Sequence, residues 1–288
     1  MRYRFIRDNV GRFSVRALCR RMEVSTSGYY AWRDRKPSAR SREAVCLLAH
    51  IRATHQRSHG RYGSPRIYQS LRSQGISCGR HRVARLMKRH GVAAKRKKRF
   101  RVTTKTKPGM EWFRDILDRI FSPDRKDLQW AADITYLWTR EGWMYLAVVM
   151  DLYSRRIVGW AIEPYLTDDL PIKAMKAALQ TRRPASGLVH HSDRGSQYGS
   201  KDYLKLLGEH GVVSSMSEKG DCWDNAPVES FFSTLKKELG EIFDTRNQAK
   251  HEVFDFIEVW YNRQRIHSTL GYTSPADYER QRAQASKA

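Results

Sequence analysis

Three carboxylates stand at positions that ask for an explanation. Asp133 sits inside Gln-Trp-Ala-Ala-Asp-Ile-Thr-Tyr-Leu-Trp, an apolar strand pattern that has little use for an acid unless something binds it. Asp193 follows a short apolar run, 188–192, that reads as a buried strand; it lies where that run meets a glycine-bearing turn in His-Ser-Asp-Arg-Gly-Ser-Gln-Tyr. Glu229 falls early in a helix whose apolar stripe is Val228, Phe231, Phe232, Leu235 and Leu239. Ser233 and Lys236 follow it at i+4 and i+7 on the same polar face. Between Asp133 and Asp193 lie 59 residues, and between Asp193 and Glu229 lie 35. Carboxylates are hard oxygen ligands. Gathered in one place they suit Mg²⁺ or Mn²⁺, and two such ions about 3.5–4 Å apart can clamp an in-line displacement at phosphorus. Taken singly, Asp193 is also an ordinary turn residue and Glu229 an ordinary solvated helix acid. Asp151, at a strand end, and Asp221, in a loop, read as structural.

The elements that must hold these acids follow from periodicity. Runs 130–138, 144–150 and 157–162 are strand-like and joined by short turns at 140–142 and 153–155, so they are expected to be antiparallel neighbours. An amphipathic helix over 170–181 uses Ile172, Met175 and Leu179. The 188–192 strand comes next, then a helix around Tyr203, Leu204 and Leu207, a strand over 212–216, and the Glu229 helix. Beyond Gly240, Thr245 caps a helix running through Phe254, Phe256, Ile257 and Trp260, and Ser274-Pro275 opens a last short one. His267 and Tyr272 read as packing residues.

Charge divides the 288-residue chain. Residues 1–107 hold 30 Lys+Arg against 4 Asp+Glu, a net of +26, whereas residues 108–288 hold 24 against 26, a net of −2. An excess confined to one end is the footprint of nucleic-acid binding rather than of general solubility. Within it, 14–22 and 26–32 read as two helices across a Glu-Val-Ser turn, a helix-turn-helix spacing offering Ser27, Tyr29, Tyr30 and Arg33 to a groove; the bland alternative is a hairpin with its tyrosines packed inward. A helix over 41–55 carries Val45, Leu48 and Ile51. Another begins with Ser64 as N-cap and Pro65 at the first helical position, and a last one, 80–90, is closed by Gly91. Arg80, Arg82, Arg85, Lys88 and Arg89 cover that last helix and suit phosphate contact. Lys95, Arg96, Lys97, Lys98 and Arg99 open a basic linker. Four cysteines in no paired spacing suggest neither disulfides nor zinc and fit a reducing compartment. No apolar run approaches the ~20 residues that span a bilayer.

The Asp, Asp-35-Glu pattern, with His-Ser-Asp-Arg-Gly-Ser-Gln-Tyr around the second acid, resembles the integrase core shared by retroviral integrases and bacterial insertion-sequence transposases. Asp-Asn-Ala-Pro-Val-Glu-Ser-Phe-Phe and the tail Tyr-Asn-Arg-Gln-Arg-Ile-His-Ser-Thr-Leu-Gly-Tyr-Thr-Ser-Pro look more like transposases encoded by a second reading frame, OrfB. The chain departs from retroviral integrases in lacking their paired His and Cys zinc ligands at the amino terminus. The resemblance implies an α/β fold: a ribonuclease H-like integrase core, a mixed five-stranded sheet with flanking helices, preceded by all-α helix-turn-helix modules. The expected division is 1–36 and 40–94 for those modules, 95–112 for the linker, 126–240 for the catalytic core and 241–288 for a helical extension.

In that fold the first and fourth strands are adjacent, which brings Asp133 and Asp193 together with Glu229 reaching in as catalytic, metal-binding acids. Lys236 looks like a lysine that binds donor DNA, although a solvated helix lysine has the same pattern. His191 and Ser192 are placed to orient Asp193 or to touch DNA. Further implications are Mg²⁺ or Mn²⁺, two ions; double-stranded DNA ends and target as partners; an OrfA-type partner or fusion; a homo-oligomer on DNA; and a bacterial cytoplasmic, nucleoid-associated location. The expected activity is cleavage and strand transfer. A nuclease of the same fold that cuts without joining, and a non-catalytic DNA-binding regulator, are the alternatives.

Overall fold

The computed structural model describes residues 1–36, 38–94, 123–216, 225–240 and 242–285. The amino-terminal module has three helices, α1 (Arg2–Asn9), α2 (Val15–Arg21) and α3 (Thr26–Arg33). Ser14 and Ser25 cap the second and third, their hydroxyls accepting from the amides of Ala17 and Gly28. The first helix was not expected, because Ile6 is its one buried residue among arginines. It changes the reading of Tyr29, which is 1% exposed and packs with Ile6, Leu18 and Cys19 instead of facing a groove. An aromatic ring so placed gains more from α1 than from water. Tyr30 stays outside, with the Arg33 guanidinium 4.7 Å over its ring and paired to Asp34 at 2.8 Å.

The second helical group is α4 (Ala39–Arg57), α5 (Ser64–Ser73) and α6 (Arg80–Arg89). Two expectations are corrected here. Val45 is 66% exposed, and the buried stripe of α4 is Leu47, Ile51 and Thr54, spaced i, i+4, i+7. The cap of α5 is Gly63, so Ser64 is already helical and makes no side-chain capping bond. Arg80, Arg85, Lys88 and Arg89 are exposed on α6, while Arg82 is half-buried and reaches Glu43 at 3.2 Å. Lys95, Arg96, Lys97, Lys98 and Arg99, and most of the expected linker, lie outside the described residues.

Apolar runs from residue 129 onward yield the predicted meander, β1 (Gln129–Thr139), β2 (Gly142–Asp151) and β3 (Ile157–Glu163), paired antiparallel. Next come α7 (Asp169–Arg182), β4 (Val189–Ser192), α8 (Lys201–Glu209), β5 (Val213–Met216) and α9 (Ala226–Leu239). The sheet order is β3-β2-β1-β4-β5, with β1–β4 and β4–β5 parallel. A sixth strand not anticipated, β6 (Ile242–Phe243), pairs with the far end of β1. One face of the sheet buries Trp130, Ala132 and Val149 against α7 and α8; the other buries Ala131, Leu137 and Val148 under α9 and the tail.

That tail is α10 (Arg246–Phe254), continuing as a π-helix over Asp255–Tyr261, and then α11 (Pro275–Ala285). The second helical group docks on it: Tyr62, Ile67 and Leu71 share one buried cluster with Phe231, Phe256 and Trp260. The joint is also polar. Arg61 pairs with Glu238 at 3.2 Å, and the Ile266 amide donates to the Tyr62 hydroxyl at 2.9 Å. Among the described residues no helix is long and apolar enough to cross a membrane.

Candidate active site

The pairing of β1 with β4 decides where the acids go. The last pair is Ala131↔His191, so Asp133 on β1 and Asp193 just past the end of β4 each lie two residues beyond it in neighbouring segments. Neighbouring strands are about 4.8 Å apart, and side chains two residues on point to the same face. Each carboxylate is then held by a backbone amide: Asp133 Oδ1 accepts from Ile134 at 2.7 Å, and Asp193 Oδ1 accepts from Gly195 at 3.0 Å. A side chain at 195 would put its Cβ 2.9 Å from that same Oδ1, so glycine is what lets the amide approach.

The third acid enters from α9. Pro227 and Asn225 open that helix, and Asn225, in the N-cap position, spends its amide elsewhere: Nδ2 donates to the Ala132 carbonyl at 3.0 Å. This ties the start of α9 to the strand residue next to Asp133. Glu229 stands in the first turn with an exposed side chain, Lys236 is half-buried two turns later, and Lys237 is exposed.

Electrostatics link the four groups. Burial first, then the Asp193 carboxylate, push Asp133 well above the ordinary carboxylate range; the Ile134 amide opposes this, Glu229 adds to it and Lys236 counters it. Burial raises Asp193 as well, against the Gly195 amide, and loss of hydration raises Glu229. At an effective dielectric near 20, two carboxylates ~5 Å apart repel by roughly 3 kcal/mol. A proton or a cation relieves that cost. Tyr198 and Asn225 add buried oxygens, the Tyr198 hydroxyl and Asn225 Oδ1, that have no hydrogen-bond partner among the described residues. Asp133 and Asp193 raise the Tyr198 phenol further, after burial and Tyr203. A hard-oxygen donor set with surplus polar atoms beside it fits a hydrated divalent cation. As they stand, no three His, Cys, Asp or Glu side chains among the described residues are gathered tightly enough to enclose an ion.

The remaining expectations sort by place. His191 and Ser192 are buried in the sheet, with His191 Nδ1 3.0 Å from Ser215 Oγ on β5, so neither is on offer to DNA. Asp151 is structural: it accepts from the amides of Asp127 and Tyr153 and pairs with Arg182. Asp221 lies outside the described residues. Arg33 belongs to the first module, and Arg80, Arg82, Arg85, Lys88 and Arg89 to α6, apart from the acids. Asp224 and Asn225 are expected from the sequence to shape the approach to the Glu229 helix; Asn225 does so as its N-cap, and Asp224 lies outside the described residues. Sequence reasoning passed over Tyr198 and the amide of Gly195. The glycine in the turn after Asp193 was the available signal.

Comparison with known proteins completes the description. An integrase core domain model matches residues 123–222, a second integrase core domain model matches 229–282, and an HTH-like domain model matches 42–100. The transposase InsF for insertion sequence IS3A of Escherichia coli (strain K12) is 40% identical over 284 residues, 97% of this chain and 98% of that protein. An insertion element IS600 uncharacterized 31 kDa protein of Shigella sonnei is 42% identical over 91% of this chain and 97% of its own length. Among solved structures, a chain of the simian T-cell lymphotropic virus intasome in complex with PP2A regulatory subunit B56 gamma aligns over 80% of this chain and 74% of its own at 14% identity and a TM-score of 0.46.

Proposed function

The chain belongs to the insertion-sequence transposases that carry an integrase core, DNA-acting enzymes of phosphoryl transfer, and on that premise we propose that Asp133, Asp193 and Glu229 are its catalytic carboxylates and the ligands of two Mg²⁺ or Mn²⁺ ions. The observation that carries the reading is the register that sets Asp133 beside Asp193, each oriented by a backbone amide. Bound there, divalent cations would neutralise the charge that gathers on a pentacoordinate phosphorus. The chain's own part is to hold one carboxylate on β1 and one just past the end of β4, and to bring the third on a helix pinned through Asn225. In the reaction, phosphorus gains a bond to a water oxygen and loses its bond to a strand oxygen, freeing a 3′-hydroxyl. That hydroxyl oxygen then bonds to a target phosphorus as the target strand's own 3′-oxygen leaves and takes up a proton, with no covalent bond to the protein.

We extend the reading to the whole chain. DNA is the partner; residues 1–36 and 40–94 are the DNA-holding modules, 95–112 a basic linker, 126–240 the catalytic core and 241–288 an extension. Arg33, Arg80, Arg82, Arg85, Lys88, Arg89, Lys95, Arg96, Lys97, Lys98 and Arg99 are assigned to phosphate contact, and Lys236 to the element end. Membership also supports work as a multimer bridging two ends, with a product of the upstream reading frame, in the bacterial cytoplasm. The test is substitution. Asp133→Asn, Asp193→Asn and Glu229→Gln should each lower metal-dependent cleavage and joining by roughly 10² to 10⁴, while DNA binding stays within a few-fold. Full activity in one variant removes that residue from the site. Cleavage without joined products would favour a nuclease.

A further inference from the structure

The other flank of α9 borders a cleft of about 340 Å³. Arg66 of α5, Arg155 of the β2–β3 turn, and Arg265 and His267 of the tail line it, with Ser230 and Thr234 of α9 on its wall. Four cationic or basic groups from three distant parts of the sequence converge there. One carboxylate that reaches the group is Glu238, 3.2 Å from Arg61 and 3.9 Å from Arg265. The second distance is too long for a hydrogen bond, and Arg265 Nε is buried without a hydrogen-bond partner among the described residues.

Positive charge dominates. Burial and then Arg265 push the Arg66 guanidinium down. Burial, then Arg265, Arg66 and Arg155, hold His267 neutral with a pKa lowered to about 2. Arg155 itself takes a left-handed backbone, φ 60°. Its turn is fixed on both sides: Asp151 accepts from the amides of Tyr153 and Ser154, and Glu279 accepts from Ser154 Oγ and Arg156. A non-glycine residue held in that region by surrounding bonds is a common mark of a functional position.

We propose that this cleft binds a phosphodiester of a DNA strand that crosses α9 on its way to the acids. Guanidinium forks match phosphate oxygens in pairs and are cheaper to desolvate than ammonium groups, while serine and threonine hydroxyls complete such sites. The position rests on the catalytic reading above. Ser230 follows Glu229 directly, about 100° further round the helix, and Thr234 repeats Ser230 one turn on. The acids and the cleft therefore occupy opposite flanks of one exposed ridge, over the buried stripe of Val228, Phe231, Phe232 and Leu235. A helix about 10–12 Å across separates them, the span of about three stacked nucleotides at 3.4 Å each.

The test follows amide hydrogen exchange over residues 262–272 of the full chain, without divalent ions, as pentathymidylate is added. Protection is expected in the wild type and, at the same concentration, in a control variant of the exposed α7 lysine, Lys176→Met. Half-protection should need about tenfold more oligonucleotide in Arg66→Met and about threefold more in Thr234→Val. Thr234→Val is nearly isosteric and decides the matter if Arg66→Met melts markedly lower. A pentamer with methylphosphonate linkages should give no protection. No protection by pentathymidylate, equal protection by the uncharged pentamer, or equal half-points in Arg66→Met and Lys176→Met would each overturn the proposal. Inorganic phosphate protecting at lower concentration than the oligonucleotide would make this a free-anion site and overturn the strand assignment. Asp133→Asn should leave the pattern intact, which separates this inference from the catalytic one.

Discussion

Two residues one position apart on α9 offer a test of how a strand meets the proposed acids. Lys236 lies seven residues after Glu229, ~10.5 Å along the axis on nearly the same azimuth, whereas Lys237 is turned away by ~100°. Lys236 is half-buried and close enough to Asp133 to stabilise its charged form; Lys237 is exposed. Lys236→Ala should weaken end-specific DNA binding and joining about tenfold, a typical loss for one charge-assisted contact, while Lys237→Ala stays within about twofold. Filter binding and a strand-transfer assay on the element's own ends would read both. Equal losses would mean that diffuse charge, and no single lysine, holds the strand. Lys236→Ala should also raise the proton affinity of Asp133, because a compensating cation is gone.

At the scale of elements, the sheet keeps its distance from α7 through one missing side chain. A Cβ on Gly159 of β3 would collide with the Ala174 carbonyl and come within 2.6 Å of the Ala178 amide nitrogen. These are backbone atoms that cannot swing away. Gly159→Ala should cost about 1–3 kcal/mol, the range for overpacking, seen as a lower urea midpoint with an unchanged slope. A neutral result would show that the helix can shift outward freely. The sequence was most legible where burial leaves an apolar run or stripe. Apolar runs between short turns found β1, β2 and β3, and the stripe from Val228 to Leu239 found α9, because burial leaves a run in a covered sheet and a period in a helix packed on one side. It was least legible where the burying partner is remote. Ile6 is a lone apolar contact in an arginine-rich helix, and Tyr29 turns inward only because α1 is there to meet it. The two residues of β6 are too few for any period to register. Of the proposed site, the acids were readable from residue type and spacing. Asn225 was readable as a residue shaping the approach to the Glu229 helix, though its bond to Ala132 was not; Tyr198 and the arginine cleft were not readable, since their meaning depends on which segments the fold brings together.

The molecule as a whole is less modular than its charge distribution suggests. Residues 1–36 bury a cluster of their own, but Leu47, Ile51, Tyr62, Ile67 and Leu71 share a single core with Phe231, Phe256 and Trp260. A fragment of residues 123–288 would expose that apolar face and take Arg61 away from Glu238, leaving it Trp260 at 3.1 Å and Arg265 at 3.9 Å. The lost apolar contacts are the larger cost, since burying each large side chain contributes about 1.5–3 kcal/mol. Calorimetry should therefore show a markedly lower melting temperature and a tendency to aggregate for 123–288, and little change in the core's melting when only 1–36 are removed. A fragment 123–288 as stable as the full chain would mean the docked face contributes nothing. The central position of β1 has a consequence in time. Its pairing with β2 closes over a few residues, but Ala131↔His191 bridges 60 positions and the Asn225 bond to Ala132 bridges 93. Contacts so far apart in the chain form late. The proposed acids therefore meet only when pairings that close loops of 60 and 93 positions have formed, and the site is among the last parts of the core to be assembled.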